Sequence, residues 1–148
     1  MVNISFLNLR VVKETSGRYD VDKKIRCPND IFNIAQNVIR ADEYPEENLW
    51  LITLDTKNNI TGIFTVSTGS LDASIVHPRE VFKRAVLQNA ASIIICHNHP
   101  SGDPTASRED INITKRLYEA GKILGIELLD HIIVGDNSYT SLKERGVF

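Results

Sequence analysis

The segment Cys96-His97-Asn98-His99-Pro100-Ser101-Gly102-Asp103-Pro104-Thr105-Ala106-Ser107-Arg108-Glu109-Asp110 holds the residue types best suited to chemistry in this chain. The chain has 4 histidines, His77, His97, His99 and His131, and two of them stand two residues apart. If His97 and His99 end a β-strand, the strand period of two places both imidazoles on one face. Two neutral imidazoles converging there suit Zn²⁺, at about 2.0–2.1 Å each. Asp110 can supply a third ligand from the first turn of the next helix, brought round by the Gly/Pro loop. Two His and one carboxylate leave a fourth position open, the catalytic rather than the structural pattern, with one zinc expected per chain. Zinc so held lowers the pKa of water to about 7, making a nucleophile available at neutral pH.

Plainer explanations exist for each part. His-x-His pairs arise by chance, and Ser107 with Asp110 three residues on forms a capping-box-like arrangement that accounts for both. Gly102 and the prolines punctuate a loop. The joint pattern His-x-His-x7-Ser-x2-Asp is harder to dismiss. With average residue usage it arises by chance about 10⁻³ times or less in a chain this long. Cys96 falls on the opposite strand face and reads as a core thiol. His77-Pro78-Arg79-Glu80 reads as a helix start, with lining of the cleft as the alternative. Ser101 and Asp103 either close the loop or touch water at the metal.

These residues need elements to position them. From Pro28, the apolar spacing of Ile31, Phe32, Ile34, Ala35, Val38 and Ile39 predicts an amphipathic helix ending near Ala41. Residues 49–54 and 60–68 read as a β-hairpin around the polar tip 56–59, closed by Gly69-Ser70. A helix follows with Pro78 at its first position, carrying Val81, Phe82, Ala85, Val86 and Leu87. Residues 91–98 read as a buried strand. A helix begins near Ser107 and runs towards Gly121, and a strand covers 126–134. Residues 139–148 are a short strand or helix. Residues 1–26 stand apart as a strand or hairpin extension, with alternating Val2, Ile4, Phe6 and Leu9 before a turn at 15–18. Residues 27–148 form the main domain, and its hairpins and separated helices predict a mixed α+β fold.

Composition excludes more than it identifies. The chain has 148 residues, 42% hydrophobic and 24% charged, with net charge −2. That is an ordinary globular balance, without the basic surface expected of a nucleic-acid or membrane binder. No apolar run approaches the roughly 18–20 residues of a membrane span, so no membrane association is expected. Residues 1–14 alternate and carry charge, unlike a secretory signal. Cys27 and Cys96 show no CxxC spacing, so a cytoplasmic setting is the default.

HNHPSGDPTASRED resembles the metal-binding motif of the JAB/MPN (JAMM) metalloprotease superfamily, specifically its RadC-like branch. The stretch from LDTKNNITGIFTVSTG through REDINITKRL, and LLDHIIVG, are similar to that branch as well, covering roughly Asp30 to the C-terminus. The resemblance implies a JAB/MPN-like (cytidine-deaminase-like) curved mixed β-sheet flanked by helices, with zinc at the end of a central strand. It implies His97, His99 and Asp110 as ligands and Ser107 as a stabiliser of the oxyanion. It also implies an upstream glutamate as general base. Glu47 best matches that place, with Glu46 the immediate competitor and Glu43 third. Strand alternation favours Glu47, which shares a face with Leu49 and Leu51. His131 matches the branch pattern, as a group behind the metal ligands or a core histidine. Between the histidines the wider superfamily has Ser or Thr, whereas Asn98 stands here and the RadC-like branch likewise carries Asn. Ala106 replaces a proline common there.

Three functions follow as expectations. The first is a zinc-dependent hydrolase cleaving a peptide or isopeptide bond. The second is a DNA-repair-associated accessory protein, as the branch's historical name implies. Net charge −2 opposes it, and residues 1–26 are too short and too strand-like for the helix-hairpin-helix segment of longer RadC-like proteins. The third is a metal-binding interaction module without turnover. Oligomeric state and physiological substrate stay open.

Overall fold

The apolar runs inside residues 48–54 and 92–98 leave no polar face for water, and both become central strands of one sheet. The computed structural model describes residues 1–69 and 76–148. Their strands are β1 (Asn48–Leu54), β2 (Ile60–Thr68), β3 (Ser92–Asn98), β4 (Glu127–Val134) and β5 (Tyr139–Ser141). The order across the sheet is β2-β1-β3-β4-β5. β3 and β4 run parallel, and the other neighbours are antiparallel. Three α-helices accompany it: α1 (Pro28–Ile34), α2 (Pro78–Leu87) and α3 (Arg108–Leu124). This is the mixed α+β architecture expected from the hairpin and helix pattern. No helix among the described residues is long and apolar enough to cross a membrane.

Every residue of β1 and β3 is buried, because layers cover both faces of the sheet. The period of two sorts their side chains. Leu49, Leu51, Ile93 and Ile95 face α2 and α3, meeting Val81, Phe82, Ala85, Ile113 and Leu117. Trp50, Ile52, Leu54, Ile94 and Cys96 face α1, meeting Ile31, Ile34 and Ala35. Each such aliphatic side chain contributes about 1.5–3 kcal/mol by leaving water. The expected helix at 28–41 is present, but it changes character. Its last turn is a π-helix at Ala35–Ile39, and Arg40 leaves it in the left-handed region at φ 58.

α3 is the crossover between parallel strands β3 and β4. It runs past Gly121 to Leu124, where Gly125 at φ 72 supplies the left-handed cap. The β1–β2 hairpin turns as expected, on the carboxylate of Asp55, which accepts from the N–H groups of Lys57 and Asn59. Ser70, expected to help end β2, lies outside the described residues, as do the other positions of the 70–75 stretch. The final segment resolves as β5 followed by a turn.

The expected strand or hairpin within residues 1–26 is not formed. Among the described residues there, only an isolated antiparallel bridge, Lys24 to Asn59, touches a strand-like partner. Val2, Ile4, Phe6 and Leu9 are exposed. Alternation alone makes no strand, since backbone N–H and C=O groups need a neighbouring chain to pair with.

β5 is held to β4 by Asp130, which is buried. Its carboxylate accepts from Ser141 Oγ at 2.6 Å, His131 N at 2.7 Å and Lys143 N at 3.1 Å. Burial pushes this carboxyl above its ordinary range despite the three donors. Asp130→Ala leaves those donors short of an acceptor and should cost about 2 kcal/mol. Urea denaturation should show a lower midpoint with unchanged slope, and an unchanged midpoint would contradict the anchoring role.

Candidate metal centre

β3 delivers the two histidines. His97 pairs opposite Leu49 of β1 and so shares the face that packs on α2 and α3. His99 lies two residues further, and its N–H continues the ladder to Val134 O at 2.8 Å. Both imidazoles therefore face the start of α3. The loop at 100–104 reverses the chain, and Asp103 closes it through Thr105 N and Oγ1. Ser101 Oγ accepts from Asp103 N at 3.3 Å. This is the loop-closing alternative for Ser101 and Asp103. Gly135 lets the loop lie close to β4, because a Cβ there would stand 2.4 Å from Gly102 O and 2.9 Å from Pro104 N.

α3 delivers the carboxylate. Ser107 is its N-cap, with Ser107 Oγ accepting from Asp110 N at 3.1 Å and Ser107 N donating to Asp110 Oδ2 at 2.8 Å. The capping box thus exists, and it also aims Asp110 inward, where it is only 2% exposed. Asp110 Oδ1 lies 3.2 Å from His97 Nε2, and Oδ2 lies 3.2 Å from His99 Nε2. The three side chains offer ligand atoms all within 4.8 Å of one another.

The proton bookkeeping of this cluster shows what it is fit to hold. His99 Nδ1 lies 2.8 Å from the carbonyl of Asp103, which can only accept. The ring proton is therefore on Nδ1, and a neutral His99 presents a lone pair at Nε2. His97 Nε2 is buried and makes no hydrogen bond, although Asp110 Oδ1 is close. Two imidazole nitrogens and a carboxylate thus turn their acceptor sides towards one point. Such a donor set fits a divalent first-row cation.

Electrostatics follow the same geometry. Burial alone would raise the Asp110 carboxyl, whereas positive charge at His97 and His99, or a cation in the same place, would hold it well below the carboxylate range. Burial pushes His97 down. Asp110 pulls His99 up. Behind His97 lies His131, fully buried, with Nε2 2.8 Å from His97 Nδ1 and Nδ1 2.6 Å from Thr114 Oγ1. Burial drives His131 well below the usual histidine value, and its two ring nitrogens face a hydroxyl and an imidazole rather than a carboxylate.

The structure brings Glu47 to the same end of the sheet. It is half-buried, and its charge adds a small upward pull on His99, behind that of Asp110, and opposes without reversing the downward push of burial on His97. Glu46 and Glu43 are exposed, and Glu43 pairs with Arg40. The segment carrying Glu47 is clamped by Asn98, a role hidden in the sequence. Asn98 Oδ1 accepts from Asn48 N at 2.7 Å, and Nδ2 donates to Glu46 O at 3.0 Å. Gly69 N donates to Glu47 O at 2.7 Å. Cys96 faces the other layer, its thiol pushed up to about 12 by burial. His77 caps α2, with Nδ1 accepting from Arg79 N at 3.1 Å. A cleft of about 220 Å³ opens beside His99, lined by Tyr44, Asn98, Ser101 and Asp136 among others.

Comparison with known proteins agrees with the fold. The family model of the RadC-like JAB domain matches residues 25–147. A UPF0758 protein of Clostridium beijerinckii is 56% identical over 126 residues, covering 85% of this chain and 54% of the relative. One from Clostridium acetobutylicum is 56% identical over 124 residues, covering 84% and 53%. One from Methanococcoides burtonii is 54% identical over 127 residues, covering 86% and 55%. The chain spans about half the length of these curated relatives. The matched region takes in all five strands and the three clustered residues, and on that match this chain belongs to the RadC-like JAB domain family.

Proposed function

We propose that this chain is a zinc-dependent hydrolase acting on a peptide or isopeptide bond. The convergence of His97 Nε2, His99 Nε2 and the Asp110 carboxylate, beside an open cleft, carries the reading. The JAB/MPN resemblance directs it to amide substrates. Zinc bound there would polarise a carbonyl and make water acidic.

The chain's own residues divide the remaining work. His97 and His99 hold the ion through Nε2, and Asp110 supplies the negative ligand. His97 is sealed from solvent, whereas the His99 side chain is 12% exposed, so substrate approaches from the His99 side. Glu47 takes the proton of the attacking water and returns it to the leaving amine. Ser107 Oγ already accepts from Asp110 N–H, which leaves its own proton to donate to the developing oxyanion. Asn98 holds the backbone on both sides of Glu47 and keeps the base facing the cluster.

Metal analysis of protein purified without chelator should find about one zinc per chain. His97→Ala and Asp110→Ala should abolish it, and a chain that neither contains nor takes up zinc would sink the reading. Glu47→Gln should keep the metal and lose hydrolysis of a peptide or isopeptide library by about 10²-fold or more. Glu46→Gln should leave both intact. Zinc uptake with no hydrolysis of the library by either the parent or Glu47→Gln would favour the interaction module.

A further inference from the structure

The hydrogen bonds behind the cluster run in one direction only, and a single backbone carbonyl sets it. Asp110 O can only accept, and Thr114 Oγ1 lies 2.5 Å from it. The one hydroxyl proton of Thr114 is therefore spent on that carbonyl. Thr114 Oγ1 must then accept from its other neighbour, His131 Nδ1, at 2.6 Å. A neutral His131 protonated at Nδ1 has its lone pair at Nε2. That atom faces His97 Nδ1 at 2.8 Å, so His97 carries its proton on Nδ1. The nitrogen left bare on His97 is Nε2, the one turned to Asp110.

We propose that Thr114 and His131 are positioning residues whose one-way relay fixes the tautomer of His97 and thereby makes its Nε2 a metal ligand. The relay starts on the backbone of one ligand residue, Asp110, and ends on the ring of another, His97. His99 differs, since the carbonyl of Asp103 fixes its tautomer without any side chain. The cluster thus has one histidine set by the loop and one set by a residue of α3 that never touches the ion. All members of the relay are buried, so water cannot substitute for a missing partner. The inference rests on the metal-binding reading of the cluster and is independent of whether the chain hydrolyses anything.

Removing the Thr114 hydroxyl should act at a distance. In Thr114→Val, which keeps the side-chain shape, His131 loses the acceptor for its Nδ1 proton. Its proton can then sit on Nε2 and point at His97 Nδ1. His97 responds by carrying its own proton on Nε2, where it blocks coordination.

Zinc titration against a chromophoric chelator should show Thr114→Val weakened about 10- to 100-fold, the range for loss of partners behind a metal ligand. Thr114→Ser, which keeps the hydroxyl, should bind as the parent does, and His131→Phe should weaken binding like Thr114→Val. Nitrogen-15 NMR of metal-free protein supplies a second readout that packing damage alone would not move. It should place the His97 proton on Nδ1 in the parent and in Thr114→Ser, but on Nε2 in Thr114→Val. Equal zinc affinity of Thr114→Val and the parent would overturn the relay. So would a parent His97 protonated at Nε2. If the parent takes up no zinc at all, the metal reading fails, and the NMR comparison still decides the relay.

Discussion

A carboxylate taken out of water must meet positive charge or a full set of donors, and Asp110 is the place where this molecule faces that demand. Its charge is buried at 2% exposure with the Nε2 atoms of His97 and His99 each 3.2 Å away. Burying an unpaired ion costs several kcal/mol even after relaxation. A divalent cation at the focus of the three groups would turn that cost into attraction. Much of the local architecture can be understood as holding Asp110, His97 and His99 together while that demand is met.

Three constraints cooperate. The central strand β3 is buried along its whole length and ends at the cluster, so its period of two fixes both histidines on the α3 side. The capping box at the start of α3 is a local motif with a second use, because the same Asp110 Oδ2 that accepts from Ser107 N faces His99. The close approach of the 102–104 backbone to Gly135 ties the connecting loop to β4. Opposite them, Asn98 sits between the two histidines in sequence and points the other way. There it clamps the entry to β1, so that one strand end organises both the ligands and the acidic residue Glu47.

The parts legible in the sequence are those governed by local period and local motif. The strand at 91–98, the cap at Ser107 and the two-residue spacing of the histidines needed only neighbours in the chain, and the three clustered residues follow from them. The strand expected within 1–26 is absent because alternation describes how a strand would be buried, while pairing depends on a partner the described residues do not provide there. Thr114 carries no signal of its own in the sequence, although it stands one turn after Asp110 on the buried side of α3. Its role depends on His131, 17 positions away, and on the direction of a proton. Asn98 showed itself only as a family variation, since its partners lie 50 and 52 positions away.

Diffraction from zinc-loaded crystals, collected on either side of the zinc absorption edge, tests the central claim most directly. A single anomalous peak is predicted within about 2.0–2.2 Å of His97 Nε2, His99 Nε2 and an Asp110 carboxylate oxygen. A peak elsewhere, such as at Cys27, or full zinc loading with no peak between these three side chains, would contradict it.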